Sequence, residues 1–296
     1  MKYNLITNKM KKSISILAAA LTVFAAASCQ KTPYAASESD GQIIFTVDGG
    51  LSVDVSTRAG VQPVTSLPEF NVYATSGTAG SETSEWGPVT FAKENGTNVY
   101  KGGKYWPNGE ISYHFYASNA DMTFSADGCT VDGDGASDIV CAYNPAPVFG
   151  TQNSLAFEHI YARIGKVVIN SQEGYDISDV KVSVTCPTSG KYNIRTGIGK
   201  TDGSGWAKGQ DSDHSLRIGD NDLYVLPGTY RISVSYSLKR DAWSESFEKS
   251  ATVGIVGGKV NNIIGTAIGG KASDITFDIS VAEWGNNDIN TSWDAQ

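Results

Sequence analysis

Cysteine, methionine and histidine are all scarce in this 296-residue chain, which holds four, three and three of them. Four cysteines are too few for a scaffold built on disulfides. The three histidines (His114, His159 and His214) stand far apart, and no H-x-x-x-H or C-x-x-C spacing occurs, so the ligand patterns of a zinc site are missing. G-x-S-x-G, the signature of a hydrolase nucleophile elbow, is absent. "GTAIGGKA" (Gly265–Ala272) satisfies G-x-x-x-x-G-K only in letters. Ala272 stands where a magnesium-binding hydroxyl is needed, and a strand pattern follows instead of a helix. "DGDG" (Asp132–Gly135) has the opening of a calcium loop, but Ala136 occupies the next ligand position and no glutamate closes it. The sequence therefore offers no catalytic, cofactor-binding or metal site. Basic charge is short as well: 23 Lys and Arg against 31 Asp and Glu argue against a nucleic-acid partner.

Long apolar runs are almost absent. The exception, Ile14–Ala27, is interrupted only by Ser15 and Thr22. It falls short of the roughly 20 residues that a spanning helix needs. Lys9, Lys11 and Lys12 precede it, and Ala26, Ala27 and Ser28 lead into Cys29. This is the layout of a secretory signal, and its end resembles the lipobox of bacterial lipoproteins. In that class the cysteine is acylated, here Cys29, and the chain is cut just before it. Ordinary cleavage after the small residues, with Cys29 incidental, is the plainer alternative. Residues 1–28 are thus expected to be a lipoprotein signal peptide and 29–40 a polar tether. Removing 1–28 leaves 19 basic and 31 acidic side chains, a net charge of −12, so membrane attachment would come from the acyl chains rather than from charge.

Glycine, by contrast, is abundant at 32, and 14 tyrosines outnumber 10 phenylalanines. Apolar residues alternate with polar ones over many short stretches. Ile43, Phe45 and Val47 fall on one face, as do Leu51, Val53 and Val55; the series Tyr230, Ile232, Val234, Tyr236, Leu238 is the clearest. Period-2 patterning marks strands with one buried face, the habit of antiparallel sheets. Further strands are predicted at 70–75, 90–93, 111–118, 138–143, 154–169, 180–186 and 275–284. Asn95-Gly96 and Asn108-Gly109 read as hairpin turns, and 127–137 and 201–215 as polar loops. No stretch carries a convincing 3.6-residue period, so helices should be few and short. The pattern predicts an all-β chain of two tandem antiparallel β-sandwiches, 41–170 and 171–296, joined near Asn170–Gly174. Cys129 and Cys141 flank a Gly/Asp-rich segment that would let them pair.

Several fragments taken together resemble the fimbrillin family, the subunits of type V pili in Bacteroidales. They are "STRAG" around Arg58, "KYWPNGEISYHFYAS" (Lys104–Ser118), "DIVCA" (Asp138–Ala142), "LAFEHIYARIGKVVI" (Leu155–Ile169), "LPGTYRISVSY" (Leu226–Tyr236) and "ITFDISVAEWG" (Ile275–Gly285). The resemblance implies transthyretin-like sandwiches, no enzymatic activity, no cofactor, and export as an outer-membrane lipoprotein. It further implies a protease cut after an arginine, matched here by Arg58. The cut removes a first strand carrying Ile43, Phe45, Val47, Leu51, Val53 and Val55, and the groove left behind accepts a strand from another pilus subunit. "CQKTPY" departs from many lipoproteins of these bacteria in lacking acidic residues after Cys29, which puts generic surface export in doubt. A lipid-anchored module binding a host glycan or protein is the alternative, with Trp206 and Trp243 as candidate contacts.

Overall fold

The computed structural model of the protein describes residues 41–48, 67–107, 112–268 and 274–283. In chain order its strands are β1 (Gln42–Val47), β2 (Glu69–Ser76), β3 (Thr83–Lys93), β4 (Tyr100–Tyr105), β5 (His114–Ser118), β6 (Met122–Ser125) and β7 (Gly128–Gly133). β8 (Val140–Asn144), β9 (Gln152–Leu155), β10 (Glu158–His159), β11 (Ala162–Ser171), β12 (Asp176–Cys186) and β13 (Gly190–Asn193) follow. The remainder are β14 (Trp206–Lys208), β15 (Ser212–Leu216), β16 (Gly219–Val225), β17 (Gly228–Arg240), β18 (Trp243–Ile255), β19 (Lys259–Ile268) and β20 (Asp274–Glu283). Among the described residues a single helical turn interrupts them: α1 (Ile194–Gly197), capped by the Asn193 side chain, which accepts from the Thr196 N–H at 3.0 Å.

The first half is one eight-stranded sheet in the order β10-β8-β5-β2-β3-β4-β1-β9. Its edge strand β9 and, at the other side of the sheet, β8 line one core: Leu155 of β9 and Val140 of β8 belong to the same buried cluster as Phe45, Phe70, Phe91 and Phe115. The sheet is therefore rolled upon itself, and the Asn144 amide bridges to the Ser154 carbonyl at 3.3 Å. The second half is a sandwich of two four-stranded sheets, β16-β11-β19-β20 and β15-β12-β17-β18. Ile164 and Ile263 of the first face Val184, Ile232 and Val234 of the second in one buried cluster. The expected alternation in β17 holds, with Tyr230 through Leu238 buried at every second position. A fourth sheet, β14-β13-β7-β6, joins residues 122–133 to 190–208 and packs on its own cluster around Tyr161, Tyr192 and Trp206.

Three sequence expectations change here. The strand expected over 154–169 is three strands, β9, β10 and β11, and among the described residues β11 pairs only with β16 and β19. The Gly/Asp-rich 127–137 segment contains strand β7, and the polar 201–215 segment contains β14 and β15. Finally, β1–β9 and β11–β19 pair in parallel, whereas the other ladders among the described residues are antiparallel. The Asn95-Gly96 turn does join β3 to β4, with Gly96 at φ +74°; Asn108-Gly109 lies outside the described residues.

Candidate functional site

The first strand is an interior one. β1 lies between β4, which it pairs antiparallel, and β9, which it pairs in parallel through Ile44–Gln152, Phe45–Asn153, Thr46–Ser154 and Val47–Leu155. Among the described residues β9 has no other strand partner. Ile43, Phe45 and Val47 are buried in the core of the rolled sheet, and Ile44 is buried on the opposite face. Phe45 is the centre of this packing. Its ring meets Phe91 at 4.8 Å and Phe115 at 4.9 Å, both edge to face, with Phe70 at 6.3 Å. The strand's ends are tied by backbone: the Trp106 N–H donates to the Gly41 carbonyl at 2.8 Å, and the Asp48 N–H to the Leu155 carbonyl at 3.1 Å. Asn98 adds a side-chain bond to the Val47 carbonyl at 2.7 Å.

Opposite β1, "KGGK" forms a bulge. Two steps along β1, Gln42 to Ile44, face four along β4, Tyr105 to Lys101. Gly102 lies so close to the Phe91 ring that a Cβ there would come within 2.7 Å of it, and Gly103 has φ +67°. Both glycines are thus needed for β4 to follow the first strand.

The chain returns to the core at Leu67, which is fully buried. The Tyr100 hydroxyl accepts from the Leu67 N–H at 3.2 Å and donates to the Leu67 carbonyl at 2.7 Å. Val47 and Leu67 are thus fixed points on either side of the connection that contains Arg58. Of the expected displaced segment, the structure brings Ile43, Phe45 and Val47 together in one core. Leu51, Val53, Val55 and Arg58 lie outside the described residues, as does Cys29.

The rolled sheet and its first strand can be set beside known proteins. A family model described as fimbrillin-like matches residues 57–284. The chain belongs to the fimbrillin-like family. No curated protein matches it. Among solved structures, a candidate cell adhesion protein from Parabacteroides distasonis is 11% identical with a TM-score of 0.47, over 83% of this chain and 97% of that one. A fimbrial assembly protein from the same species is 10% identical with a TM-score of 0.35, over 81% and 98%. A fimbrial protein from Bacteroides ovatus is 13% identical with a TM-score of 0.31, over 77% and 50%.

The remaining sequence candidates in this fimbrillin-like chain take structural places. Trp206 is not available for contact: it is buried, and its indole N–H donates to the Ile160 carbonyl at 3.1 Å. Trp243 is exposed at the β17–β18 tip, where Tyr175 lies edge-on at 6.0 Å. His159 is buried against Asp138 at 2.7 Å, and His114 faces Glu82 at 3.3 Å. Cys129, Cys141 and Cys186 are free, buried thiols, so the allowed bridge is not formed. Burial pushes Cys141 and Cys186 up to about 12, which keeps both in the unreactive thiol form.

Sequence reading missed Glu82. Its carboxylate is fully buried and takes hydrogen bonds from Thr75 at 2.9 Å and Tyr116 at 2.8 Å, with Arg195 of α1 at 2.9 Å. Burial raises its pKa, but the bonds from Tyr116, Thr75 and His114 outweigh burial and hold it below the ordinary value. One carboxylate thereby ties β2 and β5 to a helix 113 residues away along the chain. Glu82 in "GSETSEW", one of two glutamates there, carries no pattern that announces this.

Proposed function

We propose that this fimbrillin-like chain is a pilus subunit that travels as a lipoprotein acylated at Cys29 and polymerises by exchanging its first strand. Cleavage after Arg58 makes β1 a separate piece, and a strand of another subunit takes its path. The observation that carries this reading is that the first element of the described chain is an interior strand. Lifting out β1 leaves β4 with one unpaired edge, deprives β9 of its ladder, and opens an apolar slot floored by Phe70, Phe91 and Phe115. Unpaired edges and pockets at alternate positions are what strand addition requires. The span matched by the family begins at residue 57, so β1 lies outside it and Arg58 just within.

Four buried apolar side chains at roughly 1.5–3 kcal/mol each hold β1 by about 6–12 kcal/mol. Cutting alone therefore leaves the strand seated, and a competing strand is needed to displace it. Trypsin-like cleavage of the wild type should give ladders on a gel, and Arg58→Ala should give a folded monomer that never ladders. Ladders from Arg58→Ala equal to wild type would overturn the mechanism. Cys29→Ser should abolish labelling by a fatty-acid probe; undiminished labelling would overturn the lipid anchor. The exposed Trp243 and its neighbour Tyr175 favour a second reading, a tethered module for a host glycan or protein. Such a module would bind ligand and never ladder.

A further inference from the structure

Among the described residues five large apolar side chains are left exposed, and three of them collect at the Gly41 end of β1: Tyr105 (58% exposed), Val148 (59%) and Phe149 (55%). Tyr105 closes β4 opposite Gln42, and the next residue, Trp106, holds the Gly41 carbonyl. Phe149 comes from the β8–β9 loop, and its ring lies 5.6 Å from that of Trp106. Trp106 itself is half-buried and stacks on Tyr113, at 5.6 Å and 18°.

This rim is held in place. Buried Asn153, on β9, accepts from the Val148 N–H at 2.7 Å and donates to the Val148 carbonyl at 3.1 Å. Thr151 bonds the same carbonyl, and Asn144 takes the Ala146 N–H at 3.0 Å. A loop fixed by five such bonds, counting the second Asn153 donation to Thr151, presents Val148 and Phe149 outward as a built surface. Exposed apolar groups kept in this way mark a contact.

Size decides the occupant. Three half-exposed side chains offer roughly 300 Å², judged from the 150–250 Å² that an aromatic side chain can bury. A stable pair needs about 800 Å² from each partner. The rim cannot hold a partner alone, but it adjoins the mouth of the slot, where a strand entering the β1 path brings its own subunit alongside. We propose that Tyr105, Val148 and Phe149, around Trp106, form the body-to-body contact made by a second copy of this chain whose strand occupies the β1 path. This rests on the strand-exchange reading above. The strand supplies the hold, and the rim orients the incoming body.

The test uses the full chain, cleaved after Arg58, as wild type and as the double variant Tyr105→Ser/Phe149→Ser. Both positions are exposed, so the variant should fold and be cut at the wild-type rate, yet ladder at least tenfold more slowly. Equal laddering by the two proteins would overturn the rim while leaving strand exchange standing. A wild type that is cut and never ladders would overturn strand exchange and the rim with it. A photo-crosslinking side chain at position 149 guards against poor folding of the double variant. On a gel run under conditions that dissociate the ladder, it should give a light-dependent band of twice the subunit mass only after cleavage, and no such band from protein that ladders without dissociation would overturn the contact.

Discussion

Phe45→Ala should loosen the first strand more than any other single truncation in it. Phe45, the aromatic side chain of β1, packs against three other rings and is fully buried. Removing a buried phenylalanine ring costs about 3–5 kcal/mol from lost transfer energy and the cavity left behind. The two close edge-to-face partners, Phe91 and Phe115, belong to other strands and cannot both collapse into the gap. In the intact chain the variant should therefore unfold at lower denaturant, with an unchanged slope. In the cleaved chain the same loss falls entirely on the seated strand. At 1.4 kcal/mol per factor of ten, its retention should drop by about 10² to 10⁴. The two proteins are identical over residues 49–58, so that segment cancels in the comparison. The assay is size exclusion of the cleaved protein, followed by mass analysis of what stays with the body. Wild type should keep its fragment, and Phe45→Ala should keep a smaller share of it at the same dilution, without any competing strand. Thr46→Ala, on a half-buried position of the same strand, should behave as wild type. If Phe45→Ala retains its fragment as wild type does, and its stability changes by less than about 1 kcal/mol, β1 is not held by this packing.

Two further outcomes follow from the same frame. Tyr100→Phe strips both hydrogen bonds from Leu67 and leaves a buried N–H and carbonyl unpaired, at about 1–3 kcal/mol for each group; a denaturation midpoint equal to wild type would refute the clasp. Glu82→Gln should remove part of the acid sensitivity of folding. The folded pKa of Glu82 is lowered, so its stabilisation is present above the unfolded carboxylate value of about 4.3 and lost as pH falls through the folded value. Wild type should thus lose stability more steeply than the variant below about pH 4, while the variant is the weaker by about 3–5 kcal/mol at pH 7, where Arg195 has lost its buried partner. Parallel pH curves would refute that account.

How much of this was legible in the sequence depended on what each residue's neighbours demand. In β17 the buried side chains from Tyr230 to Leu238 answer only to the period of the pleat, so alternation reveals the strand and its inner face. Ile43, Phe45 and Val47 were readable for the same reason. β4 was hidden because its glycines serve a tertiary contact, the Phe91 ring and the bulge opposite β1, and so erase the alternation. β7 was hidden likewise. Gly133 sits against the Tyr161 hydroxyl where no side chain fits, and a strand built on such residues looks like a loop. Partner choice was not legible at all, since a period of two states which face is buried and never which strand lies alongside. Hence the parallel β1–β9 and β11–β19 ladders came only from the structure.

The candidate site shows the same division. The apolar face of β1 was visible as an alternation, but the strands that flank it are β4 and β9, the two that sequence reading did not resolve as such. A strand that can be removed must have a legible apolar face, because it has to fill a core by itself. Its neighbours need only present backbone and room, and they can do so with glycine and short polar segments. The rim at Tyr105, Val148 and Phe149 extends this logic outward. Apolar side chains that a closed monomer has no use for are kept at the one place where a strand exchanged between copies would carry a second body past them.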